Sequence, residues 1–120
     1  MFPSGVWEGF WEQGNLGKQP MTQFELHFRP DGTISGHGRD MVGRFTFAGD
    51  FDPVTGRVEM VKQYLGAHQV QYDGRPDGEG CILGTWTISQ FGYQSDTGSF
   101  ALKPALKRPT GDEPIQEIRG

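Results

Sequence analysis

The chain of 120 residues carries a single cysteine, Cys81, so no internal disulfide can form. No stretch approaches the ~18 consecutive apolar residues that would cross a bilayer as a helix, and no membrane is expected as a partner. No segment keeps a 3.6-residue apolar period for more than two turns, which argues against bundles and coiled coils. Positive charge is scarce: 11 Lys and Arg against 15 Asp and Glu leave a net −4, and the longest basic run is Lys107–Arg108. A nucleic-acid partner would call for a basic patch, so none is expected. The opening Met1-Phe2-Pro3-Ser4-Gly5 has neither the basic nor the apolar region of a secretory leader. With one thiol and no such leader, the cytoplasm is the expected compartment. There is no Walker loop, no zinc-type His/Cys spacing and no Gly-x-Ser-x-Gly elbow.

Glycine and aromatic residues are plentiful. Gly accounts for 19 of 120 residues, more than twice the usual ~7%, and aromatics for 12%. This composition suits a turn-rich β protein with a real core. Period-2 alternation recurs in eight segments: Val6–Gln13, Met21–Arg29, Thr33–Arg39, Val42–Phe51, Arg57–Leu65, His68–Tyr72, Ile82–Ser89 and Gly98–Lys103. Strong turn signals separate them, including Pro30-Asp31-Gly32 and Asp52-Pro53-Val54-Thr55-Gly56. In the second segment Phe24, Leu26 and Phe28 alternate with Gln23, Glu25, His27 and Arg29. Alternation stops at Pro104, and the three prolines Pro104, Pro109 and Pro114 with mixed charges read as an extended or mobile tail. The organisation is therefore one barrel domain over residues 1–104 and a tail over 105–120 that, if ordered, should run over the surface or onto a neighbouring chain with Ile115 and Ile118 as its only anchors.

Eight short strands joined by tight turns predict an all-β protein with an eight-stranded antiparallel up-and-down barrel. A flat sheet would leave exposed edges and a bare apolar face, and closure removes both. A two-sheet sandwich is the competing architecture, but Greek-key crossovers need longer connections than most of these. The expected core is Trp7, Phe24, Leu26, Phe28, Phe45, Phe47, Val58, Val70, Ile82, Trp86, Phe100 and Leu102. Closure should pair the segment around Val6–Trp11 with that around Ser99–Leu102.

Gly5-Val6-Trp7 resembles the Gly-x-Trp signature of the calycins, the lipocalin and avidin class of eight-stranded barrels. The run Val58, Lys62, Tyr64, His68, Val70, then Tyr72-x-Gly74 and Ile82-x-Gly84-x-Trp86, is similar to the avidins in spacing. The resemblance covers roughly residues 5–103 as architecture. The avidins' biotin-binding pattern is not found residue by residue, so biotin is not carried over. The chain also resembles uncharacterised small barrels of bacteria, which would supply a fold and no activity.

Most motif fragments are turns. Asp50-x-Asp52 with Gly56 lacks the glycine and glutamate positions of an EF-hand loop. Gly36-x-Gly38 has no following helix and so is not a dinucleotide fingerprint. The histidines are His27, His37 and His68; His27 shares the outward parity of Gln23 and Glu25, so no metal site and no cofactor is expected. Lys62 is the informative residue. It shares parity with Val58, Met60 and Tyr64, so it points inward if they do. A buried ammonium is costly unless paired, and Asp40 and Glu8 are the candidate partners. The alternatives are that Lys62 snorkels to the barrel rim, or that a bulge near Gly56 or Gly66 reverses its parity. A carboxylate partner would make Lys62 structural; without one, an anionic ligand head group is the better reading.

The candidate ligand-binding residues are Trp7, Lys62, Tyr64, His68, Tyr72 and Trp86. Aromatic walls with a few convergent polar groups are what small-ligand pockets need. The leading expectation is a non-enzymatic binding protein for a small, partly apolar or anionic ligand. A protein-interaction module is the alternative. A calycin-type enzyme using Lys62, His68 or a tyrosine as acid or base ranks last, because no nucleophile sits beside a base. Whether the interior is hollow or filled, and whether the chain forms a homo-oligomer, stay open.

Overall fold

A computed structural model describes residues 2–90 and 92–105. Eight strands follow one another: β1 Gly5–Gln13, β2 Gly17–Phe28, β3 Thr33–Arg39, β4 Arg44–Phe51, β5 Val58–Tyr64, β6 Gln69–Pro76, β7 Ile82–Gln90 and β8 Tyr93–Pro104. Each pairs antiparallel with the next, and β1 pairs with β8 to close the barrel. The closing ladder runs from Trp7 opposite Pro104 to Trp11 opposite Phe100, as the sequence predicts. The sandwich alternative is thereby excluded. A single 3-10 turn at Gly14–Leu16 is the helical element among the described residues. Among the described residues, no helix is long and apolar enough to cross a membrane.

Alternation sorts the side chains. On β5, Val58, Met60, Lys62 and Tyr64 are buried, while Glu59, Val61 and Gln63 are exposed or half-buried. No bulge interrupts the β4–β5 or β5–β6 ladders, so the parity of Lys62 holds. All the expected core residues join one buried cluster except Phe28, which is half-buried and packs against it. The cluster also takes in Phe2, Trp11, Met21, Ile34, Met60, Tyr64 and Tyr72.

Three strands are longer than the alternation suggests. β2 begins at Gly17, because Gly17–Pro20 pair with Phe10–Gln13 across the 3-10 turn. β6 runs on through Asp73–Pro76: Asp73 and Gly74 pair with both β5 and β7, and Arg75 and Pro76 with β7, so all four belong to the wall rather than to a loop. β8 begins at Tyr93, where a long hairpin extends β7 and β8. β2 also holds a bulge: Trp7 and Gly9 oppose Phe24 and Met21, so three steps on β2 match two on β1. Thr22 and Gln23 both face out, and Met21 turns inward together with Phe24.

The two ends of the barrel differ. One is plugged by the residues before β1. The Phe2 ring packs on Trp7 and Phe28 at 6.1 and 5.2 Å, and Phe28 meets Phe51 at 5.5 Å. Trp7 Nε1 donates to the Pro3 carbonyl at 2.9 Å, and Ser4 Oγ accepts from the Phe28 amide at 2.8 Å. The other end, ringed by the β1–β2, β3–β4, β5–β6 and β7–β8 connections, is open. The tail expected over 105–120 lies outside the described residues apart from Ala105, whose amide donates to the Val6 carbonyl.

Candidate functional site

The site grows from a two-residue hairpin at the open mouth. Asp40 and Gly43 exchange backbone hydrogen bonds around Met41-Val42, which turns β3 into β4. The Asp40 backbone is half-exposed at this turn, but its carboxylate points into the barrel and is fully buried. One oxygen, Oδ1, accepts from the Val42 amide at 2.9 Å and stiffens the turn. The other, Oδ2, accepts from Lys62 Nζ at 2.7 Å, Tyr64 Oη at 2.7 Å and Trp11 Nε1 at 3.2 Å. Four donors, from β1, the β3–β4 turn and β5, thus converge on one carboxylate.

Lys62 is fully buried. Its ammonium also donates to Met21 Sδ at 3.3 Å and to Tyr72 Oη at 3.4 Å, so all three N–H bonds are engaged. It lies over the faces of Phe45 and Tyr64, 4.3 and 4.7 Å from their centroids, where the ring quadrupoles attract it. Of the two predicted partners, Asp40 is the one found. Glu8 faces outward and meets Lys103 at 3.5 Å on the barrel's surface. The snorkelling alternative is excluded, and Lys62 has the inward carboxylate partner that, from the sequence, marks a structural charge.

The electrostatics agree with the geometry. Burial pushes the Asp40 carboxyl up, but the hydrogen bonds from Lys62 and Tyr64 outweigh it and hold the group below the ordinary carboxylate range. Burial pushes the Lys62 ammonium down from 10.5 to about 8, against the pull of Asp40. Both groups are charged at neutral pH. Burial, and then the neighbouring Asp40 carboxylate, push the Tyr64 and Tyr72 phenols far above their ordinary value, so both stay protonated.

Above this layer lies a half-open pocket of about 220 Å3, lined by Trp11, Gln13, Val42, Tyr64, His68, Val70, Tyr72, Trp86 and Ile88. The Trp11 and Trp86 rings meet edge to face at 6.3 Å and form one wall. Trp86 Nε1 donates to the Glu12 carbonyl at 2.9 Å, which fixes the ring. Gly98 on β8 makes its seat: a Cβ there would lie 2.6 Å from Trp86 Nε1. His68, exposed at the rim, leans on the Tyr64 ring at 5.1 Å. Gln13 hydrogen-bonds Asp96 across the β1–β8 seam of the rim.

Of the sequence-predicted residues, Tyr64, His68, Tyr72 and Trp86 line this pocket, and Lys62 lies beneath it. Trp7 does not join them. It shares parity with Trp11 but sits four residues earlier, about 13 Å along the strand, in the plugged end. Trp11, Gln13, Val42, Val70 and Ile88 complete the lining without having been singled out as ligand contacts. Trp11 shares the inward parity of Trp7, and its place at the mouth follows from the barrel's direction. A larger groove of about 550 Å3 crosses the outer wall beside Phe10, Pro20, Leu83 and Ala101. Among the described residues, no three His, Cys, Asp or Glu side chains converge to hold a metal. Cys81 is half-buried, and burial followed by the Asp77 contact pushes its thiol up. No family model, no curated protein and no solved structure matches this chain.

Proposed function

We propose that this barrel is a binding protein for a small, partly apolar molecule that enters the open mouth. The observation that carries this reading is the pocket of about 220 Å3 between Trp11, Trp86 and Tyr72, roofless on one side and floored by the Asp40–Lys62 layer. A cavity of about 150 Å3 already suffices for benzene, so the size suits a one- or two-ring compound. The anionic variant of the reading loses its support, because Lys62, the buried cation beneath the pocket among the described residues, is neutralised by Asp40. An acid–base role for Lys62 loses support for the same reason. The calycin resemblance stays a proposal, resting on Gly5-Val6-Trp7 at the start of β1 within a barrel of eight strands. So does a cytoplasmic location, which rests on the free Cys81 thiol.

A second reading, a docking surface for a protein, is favoured by the outer groove beside Phe10 and Leu83. The two separate in one experiment. Indole is titrated into the 15N-labelled protein and amide shifts are followed. The mouth reading expects saturable shifts at Trp11, His68, Val70 and Trp86. Absence of binding, or shifts confined to Phe10, Leu83 and Ala101, contradicts it.

A further inference from the structure

Among the described residues, Tyr72 is the one buried aromatic of the mouth with a polar atom whose proton is not spent. Tyr64 Oη and Trp11 Nε1 both donate to Asp40, and Trp86 Nε1 donates to a backbone carbonyl. Tyr72 Oη only accepts, from Lys62 at 3.4 Å, and among the described residues its own proton has no acceptor. Yet the residue is 1% exposed and lines the pocket. A buried donor left without a partner is costly, and a ligand that supplies the acceptor recovers that cost. Accepting from an ammonium also polarises the phenol and strengthens it as a donor.

We infer that the mouth selects an uncharged, planar carbonyl compound, whose oxygen accepts the Tyr72 hydroxyl while its ring packs against Trp11 and Trp86. This rests on the reading that the mouth is the ligand site, and adds the ligand's chemistry to it. The charge follows from the floor. Asp40 and Lys62 cancel, and the Lys62 N–H bonds are all engaged, so neither an anion nor a cation finds an unpaired counter-charge. The acceptor follows from the walls. Among the described residues the buried part of the walls offers one free donor, the Tyr72 hydroxyl, while the His68 imidazole stands exposed at the rim. A carbonyl is a strong neutral acceptor whose lone pairs lie in the plane of a conjugated ring. Planarity follows from two indoles and a phenol as the principal surfaces.

The test uses two probes of nearly the same shape, acetophenone and α-methylstyrene, which differ by an oxygen in place of a methylene. Each is titrated into the full-length protein and into Tyr72→Phe, with amide shifts as the readout. Acetophenone should bind Tyr72→Phe about tenfold more weakly than it binds the native chain, the worth of one good hydrogen bond. α-Methylstyrene should change less than about twofold, since only apolar contact is kept. Benzoate should bind the native chain more weakly than acetophenone; tighter binding would restore Lys62 as an anion receptor and overturn the inference. Equal losses for both neutral probes also overturn it, while leaving the mouth as the site. Failure of every probe to bind overturns the mouth reading and this inference together. Should Tyr72→Phe not fold, the carbonyl stretch of acetophenone bound to the native chain decides. It should fall below its frequency in alkane, and an alkane-like frequency overturns the proposal.

Discussion

The two ends of this barrel are built from the same kind of residue and arranged for opposite purposes. At the plugged end Phe2, Trp7, Phe28 and Phe51 pack on one another with no charge among them, and the one indole N–H is spent on the adjacent Pro3 carbonyl. At the mouth Trp11, Trp86, Tyr64 and Tyr72 surround a buried ion pair and leave a pocket. Aromatic content therefore does not mark a site. What marks it is a polar layer that holds the rings apart and fixes which donor is left over. The plug gains stability by filling space. The mouth combines buried charge, which is costly unless every partner is in place, with a vacant volume.

That contrast predicts how each end breaks. The largest effect should come from Lys62→Met, which strands the Asp40 carboxylate and should cost about 3–5 kcal/mol in denaturant unfolding. Lys62→Met combined with Asp40→Leu should recover part of that loss, because no unpaired charge remains. If the double variant is no more stable than the single one, the pair is not the coupled unit described here. At the plugged end Phe2→Ala should cost about 3 kcal/mol, the lower part of the range for a large core aromatic, since the ring is close to the surface. It should leave probe binding at the mouth unchanged. Altered binding would show that the ends are not independent.

Next in size is a dependence on pH. The folded ammonium of Lys62 is pushed down from 10.5 to about 8, so between those values the unfolded chain holds more protons. Stability due to this group should therefore rise with pH, by about 1–2 kcal/mol from pH 7.5 to 9.5. Cys81 works in the opposite direction above pH 9, because its folded thiol is pushed up. The comparison with Lys62→Met removes that contribution, and the variant should lack the rise. Equal pH profiles for the two proteins would count against a buried ammonium. The smallest effect should be Trp11→Phe, which removes one of the four donors to Asp40 and should cost about 1 kcal/mol. Measured by thermal melts, a loss several times larger would mean that Trp11 carries the mouth's packing as well.

Much of this was legible in the sequence, for a definite reason. A strand has period two, so the inward position of Lys62 follows from Val58, Met60 and Tyr64 as soon as β5 is free of bulges. Closure follows from the number of strands and the short turns. What lay beyond the alternation was anything set by a bulge or by distance along the barrel axis. The β2 bulge brings Met21 to Lys62 although its odd number matches the outward Gln23 and Glu25. Trp7 and Trp11 share a face and yet stand at opposite ends. Phe2 lies outside any strand, so no periodicity marked it as a plug. Asp40 was one of two possible partners for Lys62; its choice depends on a hairpin that aims a turn carboxylate inward, which residue order alone does not specify.

The central claim is that the charge beneath the mouth is spent inside the protein, leaving the pocket neutral with one free hydroxyl. The most direct test is the titration of the Lys62 ammonium itself, by NMR of protein labelled with 15N and 13C at lysine, with Lys62→Met to assign the signal. The account predicts a slowly exchanging ammonium at neutral pH whose midpoint lies near 8, coupled through its N–H bonds to Asp40. A fast-exchanging ammonium with the 10.5 midpoint of an exposed lysine would contradict it.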